Sequence, residues 1–80
     1  MDIELPRHTR EMMIERNISE KWLWQTINNP DHEETGADSN IYRFKAVAEH
    51  GGRILHAVIN PHQSPQKIVT VFFDRRRTLK

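Results

Sequence analysis

Apolar positions along the chain follow two regimes. Between Leu5 and Ile27 they recur at helical spacing, and from Ile41 onward they alternate or run together as strands do. The densest run is Ile68 to Phe73, where every residue is β-branched or aromatic. Apolar at both parities, it predicts a strand covered on both faces or lying at the centre of a sheet. It ends in Asp74 and three arginines, Arg75, Arg76 and Arg77.

In chain order, Pro6 suits the first turn of a helix, where its missing N–H is no loss. A first helix is expected over about 6–17, with Leu5, Thr9, Met12, Met13 and Arg16 forming a stripe narrow enough to leave most of its girth wet. Asn17 suits a left-handed helix end, and Ile18 the apolar contact that returns to it. Ser19 reads as the N-cap of a second helix over about 19–29, with Ile18 and Leu23 at the spacing of a hydrophobic staple. Leu23 and Ile27 mark the buried face. At about 100° per residue, Trp24 lies closer to that face than Trp22, so Trp24 is expected in the core and Trp22 outside it, as a partner contact.

Beyond Pro30 an edge strand is expected at about 31–35, then strands at about 41–50, 53–60 and 66–74, and a basic tail over 75–80. Gly51-Gly52 supplies the positive φ angles of a two-residue hairpin turn. That turn sets Lys45 opposite Val58 and Val47 opposite His56. Tyr42, Phe44, Ala46 and Ala48 then share a helix-facing side with Leu55, Ala57 and Ile59. Arg43, Lys45, Val47 and Glu49 share the other side with Ile54, His56, Val58 and Asn60. In the last strand Val69, Val71 and Phe73 should point one way, and Ile68, Thr70 and Phe72 the other. The chain reads as one α+β domain, residues 1–80, with two N-terminal helices packed on an antiparallel three- to four-stranded meander.

Composition narrows the function classes. The absence of cysteine excludes disulfides and thiolate zinc sites and permits a cytoplasmic location. No apolar run approaches the about 18 residues of a membrane span, and no secretory leader is recognisable. The net charge of +1 hides a split. Residues 1–40 carry four basic against nine acidic side chains, and residues 41–80 eight against two. This points to contact with a polyanion or an acidic partner, or to two solvated faces of opposite sign.

The order and spacing of His8-x3-Met12-x3-Arg16-x-Ile18-Ser19, Asn29-Pro30-Asp31, Ile41-Tyr42-Arg43, Leu55-x2-Val58 and Val69-Thr70-Val71 resemble domain-of-unknown-function family 4258 over residues 6–74. That family is in turn similar to the BrnT and RelE/ParE group of small bacterial toxins. The resemblance implies a RelE/BrnT-like fold and a metal-independent endoribonuclease acting on RNA or at the ribosome, without a cofactor and held by an antitoxin protein.

Residues for such chemistry fall together on the expected outer face of the hairpin. His56 would serve as acid or base, because its ordinary pKa suits proton transfer from a ribose hydroxyl near neutral pH. Arg43 and Lys45 would clamp the phosphate, Thr70 would border the site, and Arg75, Arg76 and Arg77 would join Lys45 on the nucleic-acid backbone. His8 would either contribute to a cleft between helix and sheet or tie its helix to a strand carbonyl. The competing account has Arg43 and Lys45 solvating a wet sheet face, with His56 filling space beside them. Tyr42 points into the core in this register and is given no role. The five histidines form no i, i+4 helical pair and have no companion cysteine, so no metal site is expected. A non-catalytic protein- or nucleic-acid-binding module is the rival function. A homodimer through Trp22 or a sheet edge is the third.

Overall fold

The computed structural model describes residues 3–78, with side chains described as far as Asp74. Strand β1 (Ile3–Glu4) leads into helix α1 (Arg7–Glu15) and helix α2 (Glu20–Asn28). Strands β2 (His32–Thr35), β3 (Ile41–Val47), β4 (Arg53–Asn60) and β5 (Gln66–Thr78) follow. The class is α+β, as expected. The sheet is five-stranded and mixed, in the order β1-β5-β4-β3-β2, and not a three- to four-stranded meander. Two-residue β1 adds parallel to β5 through Ile3↔Gln66 and Glu4↔Lys67, and is too short to carry a pattern in the sequence.

Ile18 both closes α1 and opens α2. Asn17 takes φ 57°, and the N–H groups of Asn17 and Ile18 donate to the carbonyls of Ile14 (3.2 Å) and Met13 (2.9 Å). This is the paired Schellman arrangement, completed by burial of both Ile18 and Met13. Ser19 then caps α2, its hydroxyl accepting from the Lys21 N–H at 3.1 Å. Leu23, four residues on, is fully buried and packs into the same core as Ile18. Burial of each side chain contributes about 1.5–3 kcal/mol. On α1 only Thr9 and Met13 are buried, which is the narrow stripe expected of a surface helix.

Helix α1 guards β5. The Thr9 hydroxyl donates to the Ile68 carbonyl at 3.0 Å, and Arg16 Nη1 to the Val71 carbonyl at 2.9 Å. Side chains thus take up strand carbonyls that β1 is too short to reach.

The hairpin departs from the expected register. Gly51 and Gly52 have positive φ (68° and 74°), but a 3-10 turn over Ala48–His50 precedes them, and the Gly52 N–H donates to the Val47 carbonyl at 3.0 Å. The connection therefore spans five residues, Val47 pairs with Arg53, and Phe44 pairs with His56. The displacement from the two-residue turn is three residues, an odd number, so it turns β3 over relative to β4. Ile41, Arg43, Lys45 and Val47 share the helix side with Leu55, Ala57 and Ile59, while Tyr42 and Phe44 lie on the far side with His56.

A second departure lies in β5. Ile59 pairs with Ile68 but Val58 with Thr70, leaving Val69 as a bulged, exposed residue. Ile68 consequently joins Val71 and Phe73 against the helices, contrary to strict alternation. The strand also runs past Asp74 to Thr78, which pairs with Arg53, so the expected tail begins as strand. The side chains of Arg75, Arg76 and Arg77 fall outside the described residues, and with them their expected nucleic-acid contacts. Among the described residues no helix is long and apolar enough to cross a membrane.

Candidate functional site

The register change separates the residues expected to act together. Arg43 and Lys45 lie on the helix side, at the end of α2. Arg43 Nη1 donates to the Ile27 carbonyl at 2.8 Å and Nε to Glu33 Oε1 at 2.9 Å. Lys45 Nζ donates to the Asn29 carbonyl at 3.0 Å, with Asp31 Oδ1 at 3.7 Å. These carbonyls belong to the last turn and C-cap of α2, where unpaired oxygens and the helix dipole favour cations. The two residues form a C-terminal cap for α2, on the helix side of the sheet and not on the outer face expected for them.

His56 sits on the opposite side of the sheet in a continuous row of rings. His32, Phe44, His56 and Phe72 are directly opposed across β2, β3, β4 and β5. Successive ring centroids are 5.5, 4.3 and 4.7 Å apart. His56 is 9% exposed, and its Nε2 lies 3.2 Å from Asp74 Oδ2. Packed between two phenyl rings, it is a component of the row and lies on the opposite face from Arg43 and Lys45.

The remaining expected residues are also placed elsewhere. His8 is exposed on α1, and the tie from helix to strand carbonyl, one of its two expected roles, is made by its neighbour Thr9. The Thr70 hydroxyl points to Met12 Sδ at 3.3 Å. Tyr42 lies away from the helices, and its hydroxyl donates to Asp38 Oδ2 at 2.8 Å. The backbone N–H of Asn40 and then the Tyr42 hydroxyl hold the Asp38 carboxyl below its usual range, while the same bond raises the Tyr42 phenol. Gly36 lies under the Tyr42 ring too closely to admit a Cβ, so this cluster orders the loop before β3.

A different constellation lines a cleft of about 470 Å³ beside β5. Glu15, Arg16 and Ile18 come from the end of α1, His50 and Arg53 from either side of the glycine turn, and Phe72 and Phe73 from β5. His50 is stacked on Phe73, with centroids 4.4 Å apart and planes at 29°. Trp22 meets both rings, at 5.6 Å from His50 and 5.8 Å from Phe73. Trp22 is thus half-buried behind the cleft and Trp24 is half-buried as well, so the expected contrast between an exposed and a core tryptophan is absent.

Electrostatically the cleft favours anions. Among the described residues neither Arg16 nor Arg53 has a carboxylate within ion-pair distance. Arg16 gives one N–H to Val71, and a guanidinium carries five. The C-terminal end of α1 opposes an anion here by about 0.3–1 kcal/mol. Its carbonyls at Met13 and Ile14 are already satisfied by the Schellman bonds, and two guanidinium groups outweigh the remainder. His50 adds an imidazole, and Glu15 a carboxylate. Among the described residues no group of three or more His, Cys, Asp or Glu side chains could hold a metal ion.

Of these lining residues, Arg16 and Ile18 appear in the motif pattern of the sequence. His50-Gly51-Gly52-Arg53 reads as a turn and nothing more, because its place in the cleft depends on α1 and β5 arriving from distant parts of the chain. Comparison with curated proteins gives no match, and neither does comparison with solved structures. The family model described as Domain of unknown function (DUF4258) matches residues 5–73, nearly the whole of the described fold, and the chain belongs to that family.

Proposed function

We propose that this protein is an RNA-binding domain that holds the phosphate backbone in the cleft between α1, the glycine turn and β5. The observation that carries this reading is the meeting of Arg16, Arg53, His50 and two phenylalanines in one cleft. Guanidinium groups bind phosphate oxygens in a fixed fork, and aromatic walls accept bases. The basic second half of the chain adds long-range attraction for a polyanion.

The second reading is cleavage of the bound RNA without a metal, and His50 favours it. In place of His56, it would take the 2′-hydroxyl proton as that oxygen attacks the adjacent phosphorus. The bond to the 5′-oxygen breaks, that oxygen takes a proton from water, and a 2′,3′-cyclic phosphate and a 5′-hydroxyl remain. The α+β plan and the resemblance to BrnT and RelE/ParE toxins support a toxin-like role in the cytoplasm, with an antitoxin protein as partner and the ribosome as an alternative target.

Binding of a single-stranded oligoribonucleotide across a salt series tests the first reading. Log affinity should fall linearly with log salt, and Arg53→Glu should weaken binding at least about tenfold while flattening the slope. Salt-independent binding, or full affinity in Arg53→Glu, overturns it. Induced expression tests the second. Growth arrest with new cyclic-phosphate ends, relieved by His50→Ala, supports cleavage, and harmless expression with intact RNA rejects it.

A further inference from the structure

Phe72 belongs to two constructions at once. It is the last ring of the row that begins at His32, stacked on His56 with centroids 4.7 Å apart and planes at 25°. It is also a wall of the cleft that holds Arg16, His50 and Arg53. The row crosses the sheet in the order β2, β3, β4, β5, so one of its two ends lies at β5. Pairing of β1 with β5 stops at Lys67, and at Val71 the neighbour of β5 on that side is the Arg16 guanidinium. A phenyl ring stacked through one face has a second face to offer. Phe73 is engaged differently: His50 stacks on its ring, and Trp22 meets it edge to face at 75°.

We propose that a nucleobase of single-stranded RNA stacks on Phe72 in this cleft, lengthening the row His32–Phe44–His56–Phe72 by one ring while Arg16 and Arg53 hold the adjoining phosphates. This rests on the RNA-binding reading above and adds the class of substrate. A base within a duplex has both faces covered, so the site selects a splayed, unpaired nucleotide. The platform is ordered before the ligand arrives, because Phe72 is held by His56 and His56 by Phe44 and Asp74. Little side-chain entropy is lost on stacking.

The experiment uses a single-stranded oligoribonucleotide carrying 2-aminopurine, its duplex form, and inorganic polyphosphate as a chain of phosphates without bases. Wild-type protein should quench the single strand on binding and prefer it to the duplex. Phe72→Leu should bind the single strand about tenfold or more weakly and lose the quench, with polyphosphate binding unchanged. Phe72→Tyr should restore both. The proposal is overturned by a wild-type complex without quenching, by Phe72→Leu behaving as wild type towards RNA, or by equal loss of polyphosphate and RNA binding. Phe72→Met, of similar volume, repeats the comparison if Phe72→Leu does not fold. Failure of wild type to bind either RNA or polyphosphate rejects the RNA-binding reading instead.

Discussion

Arg43 and Lys45 on β3, and Arg16 and Arg53 around the cleft, differ in what their charges face. The first pair has side chains only 22% exposed, with carbonyls of the α2 terminus and the carboxylates of Glu33 and Asp31 as partners. Redirecting either towards a phosphate would abandon hydrogen bonds to charged groups worth about 1.5–3 kcal/mol each. In the second pair Arg16 spends one N–H on Val71, and Arg53 is exposed beside the turn. Arg43 and Lys45 serve the fold because the end of α2 lies within their reach, whereas the end of α1 beside the cleft is already closed by its own Schellman bonds.

The largest expected effect comes from taking away the more engaged member of the first pair. Arg43→Ala removes the bond to the Ile27 carbonyl and leaves Glu33 without its cross-strand partner. The free energy of unfolding should fall by about 2–3 kcal/mol, and Tm by roughly 10 °C or more. RNA affinity measured well below that Tm should be unchanged. A variant that keeps its stability but loses RNA would place Arg43 at the ligand and erase the distinction.

Lys45→Ala sharpens the same contrast at smaller scale. One hydrogen bond to the Asn29 carbonyl is lost, and the Asp31 carboxylate is already distant at 3.7 Å. Urea denaturation should show a loss of about 1 kcal/mol, against less than about 0.5 kcal/mol for Arg53→Ala. The reverse order would mean that Arg53 is the structural cation.

Local chemistry made much of this fold readable. Asn17, Ile18, Ser19 and Leu23 specify the junction of the two helices through caps and a staple that involve only near neighbours. The edge strand at His32–Thr35 and the return strand Arg53–Asn60 also stand where the pattern puts them. Face assignment failed in β3 because alternation alone leaves both faces of Ile41–Val47 plausible, and a 3-10 turn of three residues decided between them. The reach of Arg43 and Lys45 to α2 is a tertiary fact that favours the observed choice. In β5 a single bulge at Val69 moved Ile68 into the core. The cleft was harder still, since its three contributions lie far apart in the chain and two of them read as ordinary turn and core.

Asp38 separates exposure from partnering, because it is exposed like Arg53 yet has internal partners like Arg43. Its carboxyl is held below the usual range, chiefly by the Asn40 N–H and next by the Tyr42 hydroxyl. A folded-state pKa below the unfolded one gives stability that is fully present above the unfolded value, about 3.9, and is lost as pH falls through the folded value. The raised Tyr42 phenol has the opposite sign: its contribution holds below about pH 10 and is lost as pH rises through the folded value. Unfolding midpoints between about pH 2.5 and 7 should therefore fall most steeply with acid in the wild type, less in Tyr42→Phe and least in Asp38→Asn. Tyr42→Phe keeps part of the dependence because the leading Asn40 bond survives. If it flattens the acid limb as fully as Asp38→Asn, the phenol is the main partner. If neither variant changes the limb, an exposed carboxylate gains nothing from its partners, and exposure alone divides the charges that serve the fold from those that serve a ligand.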